Sequence, residues 1–455
     1  MSTFTQALRH IKGNLTQALP EALPLQICRD LARSFRQRTL TPTVTTFLFA
    51  QQILHGNTAC SHLRHLAKID FTDSAYCQAR SRLPVAFFHR LLRAVTGRCY
   101  ADGDDGPRTR WKGHRVFLID GSSFSMPDTP ELREAFGQPD AQAPGCGFPV
   151  AHLMTLFDAS NGFLLRAIPA PYRTHDMAQA ALTHSALRPG DVLVGDRAFC
   201  SYAHLTLCQQ RQLHGLFRAH QKLIIDFRSR RPYAKPGAKR AAGLPRSRWR
   251  KRLGKHDQLV EYFKPPRRPS WMREDDYAQL PESLVVRELR IEVKEPGSRT
   301  HQVTLVTTLL DAKRYPKRAL AKLYAMRWQV ETDLRHLKQT LKMDVLRCTS
   351  VPGVVKELMM FVVVYNLVRR VMLQAGRRQG VKPDRISFVD ALRWLRCAQP
   401  GEQVPRLRVN PERPGRHEPR VKKRRPKQYD LLNKPRAELR AALLHNSSPP
   451  QEDAA

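Results

Sequence analysis

Two short apolar runs constrain the fold more than any other feature of this chain: Arg115–Asp120, RVFLID, and Asp191–Gly195, DVLVG, followed at once by Asp196. Both are β-branched, too short for a buried helix, and halted by an aspartate beside glycine, as expected of buried strands. Val150–Phe157 and Gly162–Ile168 read as a hairpin across the turn Asp158-Ala159-Ser160-Asn161. His175–Leu187 and Tyr202–Leu213 read as helices, and His214–His220 as a further strand. Strands interleaved with helices predict a mixed α/β sheet over 110–220.

The flanks differ in character. Residues 1–100 read as helical, with segments Thr43–Leu54, Thr58–Lys68, Ala75–Leu83 (capped by Asp73 and Ser74) and Val85–Val95. They fit an ordinary small bundle with solvated charges, and equally a DNA-binding region presenting Gln78, Arg80 and Arg82. A Gly-, Asp- and Pro-rich loop, 101–107, precedes the first strand. Beyond the α/β region, Lys222–Arg252 holds twelve Lys or Arg and a single acid, Asp226, a composition unsuited to a core. Three β-patterned runs follow, Leu259–Phe263, Leu284–Val293 and Gln302–Leu309, so 221–310 reads as a basic, β-rich insertion. The core is expected to resume over 311–375 with a long helix around Tyr324 and an apolar helix from Val354 to Leu373. Residues 376–455 read as a helical segment and then a basic, weakly ordered tail containing Lys422-Lys423-Arg424-Arg425.

A chain of 455 residues implies two or three cooperating domains. With 77 Lys and Arg against 40 acids its net charge is +37, which calls for a polyanionic partner. A membrane is the poorer choice of polyanion, because the most apolar run, Leu358–Val368, is about half the length of a spanning helix and contains Asn366. Met1–Leu19 lacks a secretory pattern, so a cytoplasmic protein is expected. The nine cysteines form no Cys-x-x-Cys pair, which argues against a zinc ribbon or a disulfide framework. A hard metal held by oxygen is the simplest cofactor.

For a nucleic-acid enzyme the relevant chemistry is phosphodiester transfer, which needs an activated nucleophile, in-line geometry and cancellation of phosphate charge. Two divalent ions held by carboxylates supply these, and Mg²⁺ requires few protein oxygens. Asp120 and Asp196, each ending a strand, are candidates, although an aspartate there is commonly only a turn residue. At about 100° per residue, with Tyr324 at zero, Arg327, Lys338 and Glu331 fall near 300°, 320° and 340° on a continuous helix. Leu323, Val330, Leu334, Leu337 and Leu341 form the adjacent apolar face. Glu331 would then point along the rim of a sheet, whereas Asp333, near 180°, would face away. The same pattern also fits a surface helix with charges paired four residues apart.

The spacing Tyr324-x2-Arg327-x3-Glu331-x6-Lys338 matches the Tyr-Arg-Glu-Lys signature of a branch of DDE insertion-sequence transposases. Ile119-Asp120-Gly121-Ser122 and Gly195-Asp196-Arg197-Ala198-Phe199 resemble that family's blocks around its first two catalytic aspartates. Ser122 stands where many relatives have Thr. The resemblance spans roughly 115–375, with Ser74–Arg80 similar more loosely. It implies a ribonuclease H-like core interrupted by a β-rich insertion, with Asp120, Asp196 and Glu331 as catalytic ligands of two Mg²⁺, for which Mn²⁺ substitutes. It further implies cleavage of element ends and their joining to target DNA, within a homodimer or larger multimer on paired terminal inverted repeats.

Tyr324, Arg327, Lys338 and Arg197 are the expected DNA contacts beside the acids. Trp328 reads as a stacking residue or, preferably, as a core aromatic at the helix edge. Arg248, Trp249 and Arg250, in the run 246–252, read as a phosphate-tracking arm with an aromatic for stacking, against the alternative of a solvated basic loop. A ribonuclease H-like nuclease that cuts without joining, and a non-catalytic DNA-binding protein derived from a transposase, are the competing functions.

Overall fold

The computed structural model describes residues 18–35, 38–103, 109–139, 143, 145–236, 243–292, 302–398, 402–411 and 432–446. The Lys422–Arg425 cluster and most of the expected weakly ordered tail lie outside them. Five helices come first: α1 (Ala22–Asp30), α2 (Pro42–Leu54), α3 (Cys60–Ala67), α4 (Asp73–Arg82) and α5 (Val85–Gly103). Helix α2 starts where Thr41 accepts the Val44 N–H, with Pro42 in its first turn, and it is buried along nearly its whole length. Arg80 on α4 is turned inward over the Phe49 ring and bonded to Gln52 and Cys348, so it is not available for DNA; Gln78 and Arg82 stay outside.

The strands within residues 110–220 are β1 (Val116–Ser125), β2 (Val150–Asp158), β3 (Leu164–Pro171), β4 (Val192–Gly195) and β5 (His214–Arg218), with α6 (Pro130–Phe136), α7 (Asp176–Thr183) and α8 (Tyr202–Gln210) between them. Strand β1 runs five residues past Asp120, because Gly121–Ser125 pairs with Val150–Met154 of β2. Asp120 is therefore within a strand, not at its end. Local propensity favours a stop at Gly121-Ser122-Ser123, and the cross-strand partner overrides it. The β2–β3 turn is held by Asp158, which accepts from the Ser160 and Asn161 N–H groups.

The basic stretch also departs from expectation. Strands β6 (Arg248–Gly254), β7 (Asp257–Phe263), β8 (Ser283–Glu292) and β9 (Gln302–Thr307), with the short α9 (Glu274–Ala278), form no separate layer. They continue one nine-stranded mixed sheet in the order β3-β2-β1-β4-β5-β9-β8-β7-β6, joined where β9 pairs antiparallel with β5. Arg248–Arg252 is thus the edge strand of the sheet rather than an arm. Buried Arg287 fixes the extension to the core, gripping Asp257 through two bonds of 2.8 and 2.6 Å and the Tyr315 carbonyl at 2.7 Å.

The chain then forms α10 (Lys317–Ala325), α11 (Trp328–Arg335) with a π-helical turn at His336–Thr340, α12 (Val351–Gln379) and α13 (Phe388–Cys397). Helix α12 is long and apolar enough to cross a membrane, but 78% of its most apolar window is buried in the protein. It begins at a Ser350 cap, ends at Gly380 with φ +66°, and packs against α5, α2, α13 and β3. Part of the C-terminal region is ordered: α14 (Arg436–Asn446) docks through Arg436, which bonds Asp128 and the Cys146 carbonyl and lies over Phe148. All nine cysteines are free thiols.

Arg369 of α12 is fully buried. Its guanidinium bonds the Asn161 carbonyl at 2.9 and 2.6 Å, Asp384 at 2.6 Å and Asp333 of α11 at 3.4 Å. Removing one member of such a network leaves buried charge unpaired, at a cost of about 3–5 kcal/mol. Arg369→Leu is therefore expected to lower the thermal midpoint far more than Arg335→Leu, a substitution at an exposed site, in a side-by-side melt; equal midpoints would remove Arg369 from this role.

Candidate active site

Strands β1 and β4 are parallel neighbours with Leu118 opposite Val194. Continued two residues beyond the last paired positions, that register leads to Asp120 and Asp196, and the charge of Asp196 acts on the Asp120 carboxyl. Gly195 is required at the approach: a Cβ there would sit 2.8 Å from both Ile119 and Phe199. Helix α11 packs on β1 and carries the third acid, Glu331. Asp120 and Asp196 are half-buried and Glu331 is exposed, and the charges of both Asp196 and Glu331 act on the Asp120 carboxyl, so the three acids share one region at the rim of the sheet.

Each aspartate is oriented by backbone. Asp120 Oδ1 accepts the Gly121 N–H at 2.9 Å, and Asp196 Oδ1 accepts the Ala198 N–H at 2.7 Å. Burial first, then the charge of Asp196 and, less, of Glu331, raise the Asp120 carboxyl to about 6 against the opposing pull of Arg327 and the Gly121 N–H. Glu331 is tied to Arg327 at 3.1 Å. No ion pair joins Asp120 or Asp196 to a basic side chain among the described residues. A concentration of carboxylates that lifts one of its own members suits a divalent cation, since the unmatched negative charge and free oxygens are what such an ion requires.

The sequence stripe is interrupted in space. The helix breaks at Met326-Arg327 between α10 and α11, and Lys338 lies in the π-helical turn, so one continuous wheel does not describe it. The two alternatives for this pattern coexist: Arg327 and Glu331 form an i,i+4 pair, and Glu331 still meets the aspartates. Tyr324 is buried, with Arg327, Arg218 and Asp196 acting on its hydroxyl. Arg327 is nearly buried, and its Nε has no partner in the protein. Lys338 is half-buried, and the acid acting on it is Asp344. Asp333 points away from the site but not into water; it is fully buried against Arg369. Burial raises its carboxyl to about 6 despite the opposing pull of Arg369.

Trp328 is no core aromatic: it is 48% exposed, with the Arg327 guanidinium 4.5 Å from its ring centre. Arg197 is exposed and bonds Gln221. The expected arm residues stand elsewhere. Arg248 and Arg250 both clamp Glu261 of β7, and Trp249 is half-buried with its indole N–H unpaired. The two arginines share the single carboxylate of Glu261 and stay partly open to solvent.

Two features escaped sequence reasoning. Arg218, at the end of β5, acts on Tyr324, and the strand-end rule that selected Asp196 applies to it as well. His152 and Asp176 form a 2.7 Å pair directly behind Gly121, where an added Cβ would stand 3.1 Å from His152 Nε2. No local motif announces that pair, because β2 and α7 meet only in the fold.

The family model described as transposase DDE domain matches residues 111–367, more than half of the chain and all three acids. The chain is 26% identical over 382 residues to transposase InsG for insertion sequence element IS4 of Escherichia coli K12, covering 79% of this chain and 78% of that protein. It is also 29% identical over 170 residues to the putative transposase InsZ of the same organism, covering 36% and 55%. A piggyBac transposase synaptic complex with hairpin DNA superposes with a TM-score of 0.41 at 10% identity, over 87% of this chain and 80% of that one. The chain belongs to the DDE transposase domain family and is a transposase.

Proposed function

We propose that this transposase cleaves the ends of its DNA element and joins them to target DNA, with Asp120, Asp196 and Glu331 as ligands of two Mg²⁺ ions, Mn²⁺ substituting. The observation that carries the reading is the mutual approach of the three carboxylates, registered in the raised Asp120 carboxyl. Bound there, two ions supply an activated water or 3′-hydroxyl and stabilisation of the leaving oxygen.

The protein's own part is positioning. Gly121 and Ala198 hold one oxygen of each aspartate, leaving the other for a ligand. Arg327 neutralises Glu331 in the free protein, and its unpaired Nε favours a phosphate oxygen when DNA arrives. Tyr324 braces Arg327 from the buried side, Lys338 and Arg197 add phosphate contacts, and exposed Trp328 offers a face for a base. Arg248, Trp249 and Arg250 are withdrawn as primary contacts because Glu261 holds both arginines.

The partners are double-stranded DNA with terminal inverted repeats and target DNA, engaged by a homodimer or larger multimer in the cytoplasm, at the nucleoid. The helical segment before β1 serves as a DNA-binding region. The core comprises 110–220 and 311–375, with 221–310 widening its sheet. The ribonuclease H-like reading of that core is supported by the β3-β2-β1-β4-β5 order, with β1, β4 and β5 parallel.

Asp120→Asn, Asp196→Asn and Glu331→Gln are expected to abolish cleavage of end-bearing DNA in Mg²⁺ while DNA binding persists; cleavage retained in all three would overturn the assignment. The wild-type reaction should yield joined strands, whereas a nuclease would leave only cut ends. Arg327→Ala should weaken binding to pre-cut ends and reduce the salt slope by about one unit; an unchanged slope would make the residue purely structural. The raised Asp120 carboxyl sets a pH dependence. Its folded value, about 6, exceeds its ordinary 3.8. Without metal, its stabilising contribution is therefore full below the ordinary value and lost as pH rises through about 6. Mg²⁺ binds the ionised form, so Mg²⁺-induced thermal stabilisation should be larger at about pH 7.5 than at about pH 5 and should vanish in Asp120→Asn.

A further inference from the structure

Behind the turn that carries Asp196 lies a second group of metal-ligating side chains, on the opposite side of the sheet's central strands. His184, in the turn after α7, and His204 and Cys208, one helical turn apart on α8, are almost completely buried. His184 Nε2 and His204 Nε2 are 3.0 Å apart, Cys208 Sγ lies 3.9 Å from His184 Nε2, and the candidate ligand atoms of all three fall within 4.8 Å of one another. Standard metal–nitrogen distances place two nitrogens roughly 3.3 Å apart around a shared ion, so the two imidazoles need shifts of only a few tenths of an ångström, with the sulfur closing on them from within 4.8 Å.

Hydrogen bonding alone leaves this group poorly satisfied. His204 donates from Nδ1 to the Phe199 carbonyl at 2.8 Å, which turns the lone pair of its Nε2 toward His184. If His184 Nε2–H donates to that lone pair, the Cys208 thiol, 3.9 Å from the same nitrogen, finds it already protonated and gains no acceptor there. An ion would engage both Nε2 atoms and the sulfur, and the His204–carbonyl bond is the arrangement that commonly orients a metal-bound imidazole.

We propose that His184, His204 and Cys208 form a structural site for a soft, thiophilic cation, Cu⁺ or Zn²⁺, distinct from the carboxylate site. Binding replaces the Cys208 proton, which leaves to solvent, and forms one metal–sulfur and two metal–nitrogen bonds. With Cys208 as thiolate, Cu⁺ gives a neutral buried site satisfied by three ligands, whereas Zn²⁺ leaves one positive charge near Arg211 and needs a further ligand. Either ion would clamp α7 to α8 and, through the Phe199 carbonyl, stiffen the turn whose first residue is Asp196.

The full-length protein, stripped by chelator and titrated separately with Zn²⁺, Co²⁺ and Cu⁺ in excess Mg²⁺, should take up about one soft ion and release about one proton per chain. Co²⁺ should show thiolate charge-transfer absorption, the bound ion should raise the thermal midpoint, and the relative affinities distinguish Cu⁺ from Zn²⁺. Asp120→Asn should bind equally, and Cys208→Ser should lose the uptake. Should Cys208→Ser fail to fold, the wild-type protein with and without ion decides: under partial denaturation the ion must protect Cys208, mapped by mass spectrometry, from alkylation. Absence of soft-ion uptake by wild type, uptake unchanged in folded Cys208→Ser, or protection at other cysteines alone overturns the site.

Discussion

The architecture depends on a charge in the middle of its core. Arg369 projects from the central helix α12 and, with no contact to water, joins the β2–β3 turn at Asn161, the helix bearing Glu331 at Asp333, and the following turn at Asp384. Gly162 is part of the same constraint: its φ of +73° and the guanidinium 2.0 Å from an imagined Cβ leave no room for a side chain. Buried ion pairs are weak sources of stability but strong constraints on geometry once the rest of the core has formed. Here the constraint fixes α11 relative to the hairpin that pairs with β1, and hence Glu331 relative to Asp120.

The second constraint is the continuity of the sheet. A basic segment suggestive of a separate insertion contributes its ordered strands to the same nine-stranded sheet that bears Asp120. Arg287, Asp257 and the Tyr315 carbonyl lock this extension to the start of α10, which leads into Tyr324 and Arg327. Displacement of the extension would be transmitted to the basic residues of the site through packed backbone rather than through a flexible tether.

The acids and Arg327 hold each other in a poised state. Like charges and burial disfavour ionisation of Asp120, while Arg327 offsets part of that cost and occupies Glu331. This balance is consistent with a site that awaits both metal and phosphate, each of which relieves one side of it.

Much of the candidate site was legible in the sequence, since its residues sit in short contiguous blocks: apolar runs leading to Asp120 and Asp196, and Tyr324, Arg327, Glu331 and Lys338 at helical spacing. Those patterns, with the net charge, pointed to a mixed α/β fold, a polyanionic partner and three candidate acids. What lay beyond were matters of long-range pairing. Whether β1 stops at Gly121 depends on β2, whether Arg248 and Arg250 are free depends on Glu261, and whether Asp333 meets water depends on Arg369. Trp328, read as a stacking residue or by preference a core aromatic, stands in the open beside the Arg327 guanidinium, away from the apolar face of its helix. The trio of His184, His204 and Cys208 has no sequence motif, because its members come together through the packing of α8 on the turn after α7. Local spacing is written in the chain, whereas the partner that satisfies a buried charge or an unpaired strand edge is chosen only when distant segments close on one another.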